Sequence, residues 1–267
     1  MSDAAARMAA VYDASAPAYE RHWAPALLRH SRDLLGLLAP ATGPRQILEV
    51  ATGTGALLPD LVDAAGPGGR VVALDRSLGM LRRATAAAVP RVQADALALP
   101  VRPASVDVGV AAFVLFLVPD AGRAVAELHR VLRPGGQLLA ATWGEQTSTP
   151  ADELLREALD EAGAPPPPDI PRSDEATESA TAMHDLLAGA GFTGVDTVAR
   201  PLDARFTPAS MLEMRTSCGT SGWRFAQLDE SVREVVRAGL TERFSRLGPD
   251  AFVDSSEVLL TVARRPR

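Results

Sequence analysis

Residues 47–61 read ILEVATGTGALLPDL. A short apolar run carrying one acid, Glu49, leads into a turn with Gly53 and Gly55, and a leucine-rich helical pattern follows. Glycine belongs where backbone bends sharply or lets a ligand come close. Pro59 fits the helix only in its first turn. A strand that feeds a glycine turn and then a helix places a ligand at the carboxyl edge of a parallel sheet.

Outward from this unit the same rhythm repeats. Strands are expected at 46–52, 71–75, 91–95, 105–113 and 137–143, with helices at 56–65, 77–88 and 121–132 between them. The last helix has Val125, Leu128, Val131 and Leu132 on one face, and RPGG stops it. Strands alternating with helices argue for a parallel sheet covered on both faces. Beyond Trp143 the rhythm breaks. Helices are read at 151–163, 180–192, 208–217 and 231–248, and a strand at 194–206 that bends at Pro201. The proline-rich stretch 164–179 reads as a surface loop. A closing strand at 256–265 has the alternation of an edge strand.

Two ligands compete for the glycine turn. A dinucleotide fold asks for G-x-G-x-x-G, but the third glycine position is Leu58. Glu49 before the turn would repel a pyrophosphate, which further disfavours a nicotinamide dehydrogenase. An acid there suits a ligand with a cationic ammonium and a cationic sulfonium, as in S-adenosylmethionine. Asp75 ends the next strand, where a carboxylate can accept from both ribose hydroxyls. Asp95 ends the third, within reach of an adenine amino group. Three acids at three successive strand ends fit an adenosyl cation without phosphate.

With ILEVATGTG, VVALDRSLGMLRRA, VQADALALP, VDVGVAAFVLFLVPD and ELHRVLRPGGQLLAATWG in order over residues 45–144, the chain resembles the class I S-adenosylmethionine-dependent methyltransferases. The resembling group includes the ubiquinone/menaquinone-biosynthesis C-methyltransferases and many small-molecule methyltransferases. The resemblance implies a doubly wound α/β fold with a seven-stranded, mostly parallel sheet whose last strand is antiparallel. It implies one methyltransferase domain over 1–267, with a helical lid at 1–40, a cofactor-binding core at 45–144 and a helical cap at 207–250. It places Glu49, Gly53 and Gly55 around the methionine part, Asp75 at the ribose, and Arg76, Met80, Asp95 and Ala96 around the adenosine. It puts Ala111 against the methionine part, Phe116 near the cofactor and Tyr19 of the lid near its carboxylate. The family glycine two places after the acid is Ala51 here, a swap shared with the quinone-pathway branch. The histidine pair often found before VPD is Phe116 and Leu117 here, so no base role carries over.

Methyl transfer is an in-line displacement that needs alignment and exclusion of water, with a base optional. Of the four histidines, His22 in the N-terminal segment is the candidate acceptor-side base, while His30, His129 and His184 read as structural or surface groups. Trp143, Phe113, Met211 and Met214 are the candidate acceptor-binding residues, with Trp223 and Phe225 completing an apolar roof. The acceptor expected is a small, apolar or aromatic metabolite. The alternative is a cofactor-binding protein that transfers no methyl, either a pericyclase-like enzyme or a regulatory subunit.

Composition narrows the rest. All 27 basic residues are arginine, which excludes lysine Schiff bases and a P-loop lysine. Net charge is −6 with no basic patch, so no nucleic-acid partner is expected. One cysteine, Cys218, excludes an internal disulfide and a cysteine-based metal cluster, and no metal is expected. No apolar run of about 18 residues occurs, so no membrane span is expected, and a cytoplasmic protein is the default. Partners reduce to the small-molecule acceptor and, as one assembly, a homodimer.

Overall fold

Ile47 and Leu48 face opposite sides of one sheet, and that alternation builds two separate cores. Ile47, Val108, Val110, Leu139 and Leu260 pack on one side. Leu48, Val50, Ala111, Leu138 and Ala140 pack on the other. A strand buried on both faces reads as a continuous apolar run for this reason.

The computed structural model describes residues 3–85, 89–167 and 169–267. Its strands are β1 (Gln46–Val50), β2 (Arg70–Asp75), β3 (Arg91–Gln93), β4 (Val106–Ala112), β5 (Leu132–Trp143), β6 (Thr193–Pro201), β7 (Ala204–Arg205), β8 (Val253–Asp254) and β9 (Glu257–Arg264). The main sheet is seven-stranded in the order β3-β2-β1-β4-β5-β9-β6, and β7 pairs with β8 in a small ribbon. β1 runs parallel to both β2 and β4, and β9 is antiparallel to β5 and β6. This is the expected doubly wound sheet with an antiparallel last strand. The strand order reverses beside β1, which opens a crevice at its carboxyl end.

The helices are α1 (Asp3–Ala18), α2 (Ala24–Leu35), α3 (Leu58–Ala65), α4 (Leu78–Arg83), α5 (Ala121–Val131), α6 (Pro150–Glu161), α7 (Ala180–Gly189), α8 (Pro208–Ser217), α9 (Gly219–Ala226) and α10 (Glu230–Ser245), with a π-helical turn at Tyr19–Trp23 joining α1 to α2. Pro59 falls in the first turn of α3, as the sequence requires. α6, α8, α9 and α10 form a third core of their own around Met211, Leu240 and Phe244.

Five readings of the sequence change, the first being the strand at 194–206, which stops at Pro201 as β6 and resumes as β7 in the separate ribbon. The closing strand β9 is not an edge: it lies between β5 and β6, and β6 is the edge. Its Val258, Leu260 and Ala263 supply both cores, which explains an apolar pattern that terminal position alone could not. The helix read at 77–88 ends at Arg83, where Ala84 turns extended; residues 86–88 lie outside the described residues. β5 starts at Leu132 rather than Gln137, because RPGG forms a bulge between the Leu132 and Gln137 pairings with β4. The proline-rich loop is docked, not free. The Ser173 N–H donates to the Phe116 carbonyl at 3.0 Å, and the Ser173 hydroxyl donates to the Val118 carbonyl at 2.8 Å.

Candidate active site

The carboxyl end of β1 carries the first acid. Glu49 is buried, 3% exposed, and Thr52 Oγ1 donates to its carboxylate. No basic side chain among the described residues pairs with it. Burial pushes its pKa up to about 7 against the Thr52 hydrogen bond, and the nearby Asp75 charge adds to the rise. The turn that follows needs left-handed backbone at Ala51 (φ 59°), Gly53 (φ 57°) and Gly55 (φ 76°). Ala51 holds that conformation at a cost of roughly 1 kcal/mol relative to glycine. At Gly55 a Cβ would lie 2.8 Å from Leu58 Cδ1 and 2.9 Å from Ala84 Cβ, so nothing larger fits.

Asp75, at the end of β2, is fixed by backbone. Gly53 N–H donates to Oδ2 and Ser77 N–H to Oδ1, each at 2.8 Å. Burial raises its pKa, and these backbone donors oppose the rise. Asp75 therefore ties the glycine turn to the start of α4. At the end of β3, Asp95 pairs with Arg76 at 2.5 Å and accepts from the Leu97 N–H at 2.9 Å. Arg76 is thus held by Asp95.

The strand ends open into a trough. Ala51, Gly53, Asp75, Arg76, Met80 and Ala96 line it on the sheet side, and Tyr12 and Tyr19 cover it from the N-terminal helices. Tyr19, Ala51, Ala112 and Phe113 also border the adjoining pocket that holds Glu49. The two tyrosine rings meet edge to face, 6.3 Å apart. Burial pushes Tyr12 up to about 12, with Arg172 opposing, so its hydroxyl is a donor at neutral pH. The cover is pinned to α4: Asp13 Oδ1 accepts from the Ser77 hydroxyl and, at 2.7 Å, from the Gly79 N–H. Glu20 pairs with Arg83 beside it. Gly79 is needed there, since a Cβ would lie 2.8 Å from the Asp13 Cα.

A second chamber of about 320 Å³ adjoins the trough across Tyr12 and Leu117. Trp23, Trp143 and Trp223, with Phe116, form its aromatic walls, and these are all three tryptophans of the chain. Trp23 stacks on Trp143 at 6.0 Å and 22°, and Phe113 leans on Trp143 at 5.2 Å. Arg172, Arg215 and Asp254 are its charged lining. Arg215 Nε lies 2.7 Å from Asp152 Oδ1, and its Nη2 lies 3.5 Å from Asp254 Oδ2.

Several candidate residues sit elsewhere: Asp95, its carboxylate taken by Arg76, and Gly55, packed against Leu58 and Ala84, line neither the trough nor the Glu49 pocket. Ala111 faces the α5 side of the sheet, and its neighbours Ala112 and Phe113 face the trough instead. Phe113 takes φ 58°, a rare state for a bulky residue and one that clusters at functional sites. Phe116 borders the second chamber rather than the trough. Met211 and Met214 are buried in the core of the inserted helices and line neither cavity. His22 also lines neither; its Nε2 lies 3.2 Å from Glu213 Oε2, joining the π-turn to α8. His30 is buried with Nε2 3.1 Å from the Leu202 carbonyl, His129 packs on Phe192, and His184 is exposed beside Asp185. The sequence reading missed Trp23, Arg172, Arg215 and Asp254 as chamber residues, and Asp13 as the pin. Only the clustering of scarce aromatic residues could have pointed to the chamber.

A family model described as Methyltransferase domain matches residues 48–140. A demethylmenaquinone methyltransferase of Mycolicibacterium paratuberculosis is 31% identical over 191 residues, which is 66% of this chain and 76% of that protein. A malonyl-[acyl-carrier protein] O-methyltransferase of Pseudescherichia vulneris is 36% identical over 137 residues, 51% of this chain and 53% of that protein, so the match spans about half that relative's length. Among solved structures, a Haemonchus contortus phosphoethanolamine N-methyltransferase 2, complexed with phosphomonomethylethanolamine and S-adenosylhomocysteine, aligns with a TM-score of 0.57 at 17% identity, over 96% of this chain and 58% of that one. At that identity the likeness is one of fold. No helix among the described residues is long and apolar enough to cross a membrane.

Proposed function

The chain belongs to the class I S-adenosylmethionine-dependent methyltransferases, enzymes that here act on a small molecule, and we propose that its acceptor is a planar, largely apolar ring compound bound in the tryptophan-walled chamber. The observation that carries this reading is the meeting of the two cavities across Tyr12 and Leu117, one lined by Asp75 and joined to the pocket of Glu49, the other walled by aromatic rings. The relative named for demethylmenaquinone supports a ring acceptor.

The residues of the trough and of the adjoining Glu49 pocket fit the cofactor. Glu49 is a buried carboxylate without a cationic partner among the described residues, and an ammonium group would complete it. Asp75, already oriented by two backbone donors, keeps acceptor capacity for a ribose diol. Ala96, Met80 and Arg76 are the proposed adenosine contacts, with Asp95 bracing Arg76. Bound there, S-adenosylmethionine supplies an electrophilic methyl group on a cationic sulfur. The chain's part is alignment and exclusion of water. The trough-facing backbone at Ala112 and Phe113 and the Tyr12 ring hold the two cavities in register, and Trp143 and Trp23 fix the acceptor plane. Residues 1–40 act in this reading as a lid and 207–250 as a cap that closes the chamber. His22 serves as a link between lid and cap. A cytoplasmic location, and assembly as a homodimer, remain proposals that accompany this reading.

Incubation with methyl-labelled S-adenosylmethionine and a panel of naphthols, naphthoquinols, aliphatic acids and amines tests the acceptor class. Label is expected in the ring compounds. Label only in aliphatic acceptors would overturn the ring reading, and cofactor binding with no transfer to anything would favour the non-methylating alternative.

A further inference from the structure

The second chamber carries two guanidinium groups, and they are not equivalent. Arg215 has two acids beside it, Asp152 and Asp254, where Arg172 has one, and Asp254 itself is fixed by the Ser256 N–H at 3.0 Å. Its guanidinium also lies 5.7 Å from the Trp23 ring, as part of the wall. Arg172 stands differently. It is carried by the proline-rich loop, which the two hydrogen bonds of Ser173 and a third, from the Ala121 N–H to Ser173 Oγ at 3.0 Å, staple to the β4–α5 connection and the start of α5. Asp174 holds its Nε and Nη2 at 2.7 Å, and its guanidinium covers the Phe116 ring at 5.2 Å. Nη1 has no protein partner among the described residues. The side chain is 35% exposed, so a ligand entering the chamber can reach it. A fork fixed on one edge and free on the other, above an aromatic wall, is built to take an oxyanion on a ring lying against that wall.

We propose that Arg172 is the specificity determinant of the acceptor chamber, selecting planar aromatic acceptors that bear an ionised oxygen substituent such as a carboxylate over their uncharged counterparts. This rests on the reading of the chamber as the acceptor site. The loop is then a recognition element, Ser173 is the positioning residue that fixes it, and Asp174 is the counter-ion of Arg172.

All three tryptophans line the chamber, so their fluorescence reports its occupancy. The probes are 1-hydroxy-2-naphthoate and its uncharged methyl ester, titrated in the presence of S-adenosylhomocysteine. The naphthoate is expected to bind about tenfold or more tightly than the ester, the scale of one charge-assisted hydrogen bond. Arg172→Gln should bring that ratio to about one while changing ester and S-adenosylhomocysteine affinity less than about twofold. Asp174→Asn, which keeps the cation and removes only its counter-ion while Ser173 still holds the loop, should preserve the preference. A wild-type ratio near one, or a preference that survives Arg172→Gln, overturns the proposal. A preference lost equally in Asp174→Asn also overturns it, because the pair would then only brace the loop. If neither probe quenches the tryptophans, the acceptor-chamber reading itself fails and takes this proposal with it.

Discussion

Glu49→Gln is expected to make the free protein more stable at pH 8 and at the same time to cost it most of its affinity for S-adenosylmethionine. The carboxyl is buried, without a cationic partner among the described residues, and shifted to about 7 in the folded chain from an ordinary 4.5. A folded pKa above the unfolded one means that the acid's contribution to stability is full below about pH 4.5 and is lost as pH rises through about 7. That shift corresponds to about 3 kcal/mol between the two limits. Glutamine carries no charge, can still accept from Thr52, and recovers much of this at pH 8. The same substitution removes the anion proposed to meet the cofactor's ammonium, and a loss of about a hundredfold in affinity is expected. Thermal unfolding and calorimetry on wild type and variant at pH 8 check both halves. In the wild type, affinity should also fall as pH drops below about 7, since the bound state needs the carboxylate. A variant that binds normally would remove Glu49 from the site.

Asp75→Ala is expected to damage stability and binding together. Its two oxygens accept from Gly53 and Ser77, so truncation leaves two backbone donors without partners in a largely buried place. Each unpaired buried donor costs about 1–3 kcal/mol, offset in part by relief of the buried charge. The glycine turn also loses its anchor to β2. Cofactor affinity should weaken by at least about 1–3 kcal/mol through the lost ribose acceptor. Denaturant unfolding and calorimetry measure the two effects. Lowered stability with an unchanged dissociation constant would make Asp75 a brace for the turn and nothing more.

The proposed cofactor half of the site can be read from the sequence because its candidate residues sit on consecutive strand ends. A buried strand announces itself by Ile47, Leu48 and Val50, and the residue at its end is placed by that fact alone; Glu49 and Asp75 follow. The acceptor half was not legible in the same way. Trp23, Trp143, Arg172, Arg215 and Asp254 come from five separated segments, and only tertiary packing joins them. Met211 and Met214 show the limit of an apolar stripe: it tells that a helix face is buried, not against what, and here α8 buries it in the core of the inserted helices. The loop at 164–179 misled for a related reason. Its prolines and charges suit the surface, and one serine stapled to the β4–α5 connection brings it to the chamber. The position of β9 could not be read either, because an alternating strand records which faces are buried but not which strands lie beside it.

The central claim is that acids on the open rim of the sheet receive a cationic, phosphate-free nucleoside. A crystal structure with S-adenosylhomocysteine tests it most directly. The account predicts the ribose hydroxyls on the Asp75 carboxylate and the amino group turned toward the Glu49 pocket, beneath Tyr19. Density for the ligand away from the β1 and β2 ends, or a ribose that leaves Asp75 untouched, would contradict it.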